Sequence, residues 1–329
     1  VTRKDALMLL ILALALVGAA ALRLASGPEG LAFAASETVA NLRWTRVLAA
    51  ASVGASLAVA GVMLQALLRN PLASPDLIGV SAGSGLAVVV SAYFSYLATG
   101  QITPPGAEPI PAVIGALATL GFVYTLSQRR GFIEPVTLIL VGVVVGILCG
   151  SAGAFIRQLL PDGGFAVARL LVGRLSDNLS LSMVWGVLSV TVLGTAIGAK
   201  LGPAMDAAAM SDDEARSVGV PVGALRLTLF LISGVLTAGS VVLVGPIGFV
   251  GLVIPHAVRL LTGPNHRVLM IGSALAGATA VVLADVGVRL LPSRTGAIPI
   301  GIITSLVGGP IFLWMLYSAI RKPGAMTNS

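Results

Sequence analysis

Residues 47–68 read V-L-A-A-A-S-V-G-A-S-L-A-V-A-G-V-M-L-Q-A-L-L, a stretch without one charged side chain. A helix of about 20 apolar residues covers the roughly 30 Å of hydrocarbon in a bilayer, whereas a barrel strand would alternate polar and apolar positions over about 10 residues. This run has the length of the helix and lacks the alternation. Outward from it, further apolar runs separated by Pro, Gly or charge clusters fall near 6–25, 77–98, 111–127, 135–159, 179–199, 225–245, 249–263, 268–290 and 299–320. Together they predict an all-α polytopic chain of about ten transmembrane helices, forming a single transmembrane domain over 1–329.

Composition agrees with that reading. Of 329 residues, 57% are hydrophobic and 10% charged, and mean hydropathy is +1.01. Soluble domains carry about a quarter charged residues, so lipid has to replace most of the water-facing surface. The formal net charge of +7 comes from basic residues standing singly or in pairs between apolar runs, a pattern that speaks for membrane topology and against nucleic acid. An even number of spans puts both termini on one side. Placing them in the cytoplasm leaves Arg3, Lys4, Arg69, Arg129, Arg130, Lys200, Arg216, Arg226, Arg259, Arg267, Arg321 and Lys322 inside. Outside lie Arg23, Arg43, Arg46, Arg157, Arg169, Arg174, Arg289 and Arg294. The split obeys the positive-inside bias, yet the outer side keeps more arginine than that rule explains. Arg3-Lys4 ahead of the run Ala6 to Leu22 has the layout of a signal peptide and is read as the first span.

Few residues offer bond-making chemistry. Cys149 is alone, so neither an intrachain disulfide nor a paired-cysteine metal site is possible. His256 and His266 lack the spacing of H-E-x-x-H, and no metal ligand set is expected. Lys4, Lys200 and Lys322 are followed by Asp, Leu and Pro, which rules out a G-x-x-x-x-G-K-[ST] phosphate loop. The expectation is a chain that is not an enzyme and binds no cofactor. Glycines at four-residue spacing, as in Gly142, Gly146 and Gly150 or Gly79 and Gly83, let helix backbones approach where lipid offers no hydrophobic drive for pairing. No sequence repeat is visible, which leaves room for an inverted structural repeat.

One polar stretch interrupts the apolar array. Residues 206–221, D-A-A-A-M-S-D-D-E-A-R-S-V-G-V-P, predict one short amphipathic cytoplasmic helix. Ser211 and Glu214 have capping-box spacing, Asp212 and Asp213 suit the positive end of the helix dipole, and Gly219 with Pro221 ends it. So short a helix is marginal in water unless it docks against something, which favours a partner. Asp285 lies inside the ninth run with Arg289 one turn later, and that spacing predicts a structural ion pair. The open alternative makes Asp285 the proton carrier of an ion-coupled secondary transporter.

Several stretches carry a resemblance. They are L-R-W-T-R-V-L-A-A from Leu42, G-V-M-L-Q-A-L-L-R-N-P-L-A-S-P-D-L-I-G-V-S-A-G-S-G ending at Gly85, and D-E-A-R-S-V-G-V from Asp213. Further on come V-G-P-I-G-F-V-G-L-V-I-P-H-A-V-R-L-L-T-G-P-N-H-R from Val244, L-A-D-V-G-V-R from Leu283, and I-P-I-G-I-I-T-S-L-V-G-G-P-I-F from Ile298. Asn70, Pro71, Pro255, His256, Arg259 and Asp285 are the motif residues within them. The whole resembles the FecCD-type permeases of ABC importers. The resemblance implies a permease subunit in the bacterial cytoplasmic membrane that imports an iron-siderophore, haem or cobalamin. It further implies a dimer of two permease copies, or of this chain with a related permease, and two ATPase subunits that hold ATP and Mg. Those subunits would grip Ser211, Asp212, Asp213, Glu214, Ala215, Arg216 and Gly219. An extracytoplasmic substrate-binding protein would meet Arg43, Arg46 and Arg289, accounting for the outer arginines, although Trp44 and Thr45 replace the apolar-proline filling usual between the first two. By the same resemblance the run Leu138 to Leu160 lines the pathway, with Gly146 and Gly150 on it and Arg157, Arg169 and Arg174 meeting anionic groups of the cargo.

Overall fold

A computed structural model of the chain describes residues 2–27, 30–31, 36–101, 109–129, 132–164, 167, 173–175, 179–291 and 298–320. Among these residues the chain forms helices α1 (Arg3–Ala25), α2 (Glu37–Leu68), α3 (Val80–Thr99), α4 (Pro109–Leu126) and α5 (Pro135–Gln158). There follow α6 (Leu181–Met210), α7 (Asp212–Ser217), α8 (Val222–Val244), α9 (Val250–Thr262), α10 (His266–Leu290) and α11 (Ile300–Ile320). The β structure described is two antiparallel pairs of two-residue strands. Among the described residues nine helices are long and apolar enough to cross a membrane. The predicted eighth span, 249–263, is the 13-residue α9, which rises only about 20 Å and crosses only together with the non-helical residues 245–249 before it. Two helices extend well beyond the second and sixth apolar runs. Helix α2 begins at Glu37, ahead of Arg43 and Arg46, and α6 continues to Met210. In both places charged or polar residues ended the apolar run without ending the helix.

The local signals that stop and start these helices are chemical. Thr2 caps α1 in a capping box with Asp5, and Ser36 accepts from the Val39 N–H at the start of α2. Arg69 ends α2 in the left-handed region at φ 48°. Asn70 then turns the chain by accepting the Leu72 N–H on its side chain at 2.9 Å, and Pro71 prevents the helix from resuming. After a 3-10 turn over Pro75–Ile78, Gly79 at φ 71° starts α3. A second break follows α8, where Gly245 leaves the helix at φ 80° and Phe249 caps α9 at φ 69°. That conformation is an outlier for a bulky side chain. Phe249 is accommodated because Gly308 on α11 leaves the room: a Cβ there would sit 2.6 Å from the Phe249 Cβ.

Helix α2 is the axis of the bundle. In its most apolar window 89% of residues are buried, against 11% for α1. It crosses α10 where Gly54 and Gly277 face one another; a Cβ on Gly54 would lie 2.0 Å from the Gly277 carbonyl oxygen. It meets α9 at Gly61 and Gly251, where the corresponding distance is 1.9 Å. Because α8 starts beside α7 and rises about 34 Å over its 23 residues, the break at 245–249 enters from the end opposite Asp212. The break at 70–79 enters from the Asp212 end. The two meet inside the bundle, where Gly251 packs on the Pro75 ring and on the Leu57 carbonyl.

The end opposite Asp212 is fastened by a buried ion cluster. Asp285 on α10 is wholly buried and accepts from Arg23 of α1 and Arg46 of α2, which are 1% and 4% exposed. Arg46 approaches with Nη2 2.8 Å from Oδ1 and Nε 3.0 Å from each oxygen. The expected pairing of Asp285 with Arg289, one turn on, is thus corrected: the arginines bonded to this carboxylate come from two other helices, which no spacing within α10 could disclose.

Three substitutions test this packing. Gly54→Ala places its methyl against backbone that cannot swing aside, and should lower stability by about 1–3 kcal/mol despite the better helix propensity of Ala. Gly121→Ala, with nothing within 4 Å of the added Cβ, should leave the melting temperature in detergent unchanged. Asp285→Asn strands two buried guanidinium groups and should cost about 3–5 kcal/mol; a melting temperature equal to the parent's would show that the cluster holds nothing.

Candidate functional site

The coupling candidate is smaller than the sequence suggested. Residues 206–210 belong to α6, and the separate helix is only Asp212–Ser217. A helix cannot run through Ser211, whose extended backbone (φ −156°) makes it both the stop of α6 and the N-cap of α7. Ser211 Oγ accepts the Glu214 N–H at 3.0 Å and donates to the Glu214 carboxylate at 2.9 Å. The reciprocal half of the expected capping box, from the carboxylate to the Ser211 N–H, is replaced by this bond to the hydroxyl. Gly219 closes the segment at φ 84°.

The segment has an inner and an outer face. Asp212 points inward and is shared by two arginines: Arg69 at the end of α2 and Arg226 on α8, the latter 3.0 Å from both carboxylate oxygens. Arg69 also donates through Nε to the Ala208 carbonyl. Ala215 is fully buried beneath the helix. Outward stand Asp213 and Arg216, whose side chains are 95% and 64% exposed, with Glu214 beside them and apolar Met210 and Val218 exposed at either end. Among residues grouped by sequence as one partner-gripping set, Asp212 and Ala215 therefore fasten the segment to the bundle, and Asp213, Glu214 and Arg216 face away from it.

The three arginines assigned to the opposite end also divide. Arg46, expected to meet the binding protein, is 4% exposed and turned inward to Asp285. Arg43 is half-buried and donates to the Leu24 carbonyl at 2.6 Å, and Arg289 is half-buried. Because α2 is already helical at Glu37, Arg43 and Arg46 are fixed on adjoining turns of one helix rather than carried on a loop.

A cleft of about 310 Å³ opens between α3 and α5. From α3 it is lined by Ser81, Gly85 and Val89 among others, and from α5 by Cys149, Gly150, Gly153 and Arg157. Pro246, from the second chain break, and Asp76, from the first, complete it. Of the residues the sequence placed on a pathway, Gly150 and Arg157 line this cleft. Gly146 packs on the Gly79 backbone instead. Arg174 is exposed elsewhere, its N–H bonded to the Val244 carbonyl at 2.6 Å, and Arg169 lies outside the described residues. Asp76 and Ser81 were missed, although an acid inside a stretch packed between two spans was the signal that could have found them.

The remaining motif residues serve the backbone and the Asp212 end. Asn70 and Pro71 make the turn after α2, and Pro255 is buried within α9. His256 and Arg259 follow on the same helix, both half-buried. His266 Nδ1 lies 2.6 Å from Asp206, tying the start of α10 to α6. Among the described residues no three His, Cys, Asp or Glu side chains gather as a metal site would require.

Comparison with known proteins fits this architecture. The description of the FecCD transport family matches residues 6–318. The cobalamin import system permease protein BtuC of Halobacterium salinarum is 35% identical over 283 residues, covering 84% of this chain and 73% of that one. The hemin transport system permease protein HmuU of Yersinia pestis is 36% identical over 278 residues, covering 84% and 82%. Among solved structures, an inward-facing conformation assigned to a metal-chelate type ABC transporter superposes with a TM-score of 0.81 at 29% identity, over 95% of this chain and 99% of the other. PsaBC from Streptococcus pneumoniae, at 16% identity and a TM-score of 0.55, shares the fold alone. With helices, breaks and lined cleft in place, and a family match running nearly end to end, this chain belongs to the FecCD transport family and is a multi-span permease of an ABC importer.

Proposed function

We propose that the chain forms a dimer, with a second copy or a related permease, that carries a chelate of the iron-siderophore, haem or cobalamin type through the cytoplasmic membrane. The energy is ATP hydrolysed by two separate ATPase subunits, which hold the nucleotide and Mg, and a binding protein delivers cargo outside. Both termini and α7 then lie in the cytoplasm. The relatives named for cobalamin and hemin support the cargo class without choosing within it.

The observation that carries the reading is the two-faced segment 211–219. Its outer face presents exposed charge flanked by Met210 and Val218, the mixture of apolar and charged surface that a protein partner covers. Its inner face is bonded through Asp212 to α2 and α8, so a push on α7 reaches the two helices that carry the first break and lead into the second. An ATPase pair that closes on nucleotide would favour one arrangement of the permease through such contacts, since a ligand shifts a conformational equilibrium only by its differential affinity for the two states. The ion-coupled alternative has no comparable support. Asp285, its carrier, has both oxygens bonded by arginines, an arrangement suited to holding helices together.

The proposal is tested on the permease purified with its ATPase. Arg216→Glu should abolish co-purification of the ATPase while leaving the permease folded. Asp212→Asn, which frees Arg69 and Arg226 from the segment, should keep the ATPase bound and lower ATP-dependent uptake in proteoliposomes about tenfold, the equivalent of about 1.4 kcal/mol of lost coupling. Uptake driven by a proton gradient with no ATPase present would sink the proposal.

A further inference from the structure

Asp76 is a carboxylate that the importer reading leaves without a task. It sits in the 3-10 turn Pro75–Ile78, deep in the bundle. Its neighbour Leu77 packs its carbonyl on Gly142, and Gly79 lies against Gly146, halfway along α5. Despite that depth Asp76 is exposed, because it opens onto the cleft between α3 and α5. Its oxygens accept from Ser74 and Ser81 hydroxyls, each at 3.3 Å, long for bonds whose usual length is about 2.7–2.8 Å. Among the described residues no cation pairs with it. Asp285 and Asp212, by contrast, are each shared by two arginines.

An acidic side chain at membrane depth is tolerated where it faces a partner or a water-filled cavity. Asp76 has no cationic partner among the described residues and opens onto the cleft, whose wall therefore carries an acceptor with long bonds of its own. Small residues on the opposite wall, Gly150 and Gly153, leave that acceptor accessible. Resting on the reading of this chain as an importer, we infer that Asp76 reads the cargo: it accepts hydrogen bonds from amide or ammonium N–H groups on a passing chelate and repels chelates whose rim is carboxylate or otherwise anionic. Discrimination by a like charge is the repulsive element that specificity commonly requires. Arg157 lies in the same cleft on α5, so cargo carrying both donors and an acidic group is best matched when its donors face the first chain break.

Cys149 lines the same cleft and is the chain's single cysteine, which makes it a built-in reporter. The full-length permease in nanodiscs is treated with thiol reagents of equal size, one carrying an ammonium and one a sulfonate, and the ratio of their labelling rates at Cys149 is measured. Asp76→Asn should lower the cationic-to-anionic ratio about tenfold relative to the parent, the scale expected for removing one charge at close range in a partly wet site. Asp76→Glu should keep the ratio within about twofold, which guards against misfolding as the cause. Comparison of variant with parent cancels the fixed contribution of Arg157. A ratio unmoved by Asp76→Asn, or a Cys149 that neither reagent reaches, overturns the inference. The measurement needs neither ATP nor partner subunits, so a complex that failed to take up cargo with ATP would refute the importer reading separately and leave this ratio as it stands.

Discussion

Inside hydrocarbon a backbone N–H or C=O finds no water, so a chain can leave the helix only where protein or a wet cavity meets its polar groups. The first break in this permease obeys that constraint. There Pro71 and Pro75 bring no N–H to satisfy, Asn70 and Ser74 side chains accept the N–H groups of Leu72 and Asp76, and the Ala73, Leu77 and Gly79 N–H groups bond to carbonyls three residues back. The amide of Gln65, from the otherwise apolar α2, lies 3.5 Å from both the Ala73 and the Leu252 carbonyls. One side chain on the central helix therefore reaches the backbone of the first interruption and that of the first turn of α9, just past the second. The glycine crossings of α2 with α9 and α10 bring those interruptions close enough for this to happen.

Charge is handled with the same economy at the two ends. Each end has one aspartate shared by two arginines from different helices, Asp285 with Arg23 and Arg46, and Asp212 with Arg69 and Arg226. Helix α2 supplies an arginine to both. The burial differs, and so does the consequence. The first cluster is sealed from solvent, where losing one member leaves uncompensated charge. The second keeps about a quarter to a third of the Asp212 and Arg69 side chains exposed, where an ion pair contributes less to stability and can be remade during movement.

Much of this architecture can be read in the amino-acid order, because apolar run length and Gly or Pro punctuation are local properties. The runs locate every long helix, and Ser211 and Gly219 mark the short one. Helix boundaries failed where a charged residue continues a helix, as Arg43 and Arg46 do in α2. Partners failed for a different reason. Asp285 meets Arg23 and Arg46 across 262 and 239 positions, and only packing selects those over Arg289, four residues away. The place of Asp76 is not legible in its motif, since it depends on a chain break lying halfway along α5 rather than at the membrane surface.

The interlocking also limits which parts of the bundle can move independently. Along α2 each close approach, at Gly54 and at Gly61, sets backbone against backbone, and interfaces packed this tightly move as bodies rather than deform. Helix α5 is held differently. Near its start, Gly142 is locked against the Leu77 carbonyl, but one turn later Gly146 has only the Gly79 Cα at 3.8 Å, and around Gly150 the space within 4 Å is open. Contact thus opens around Gly150 and returns at Gly153 against Leu86 and at Ile156 against the Val89 and Ala92 cluster of α3, and the cleft lies in the opened part. Force entering at α7 meets a rigid unit of α2 and α8 first. The surface that can yield to it is the one where α5 faces Asp76.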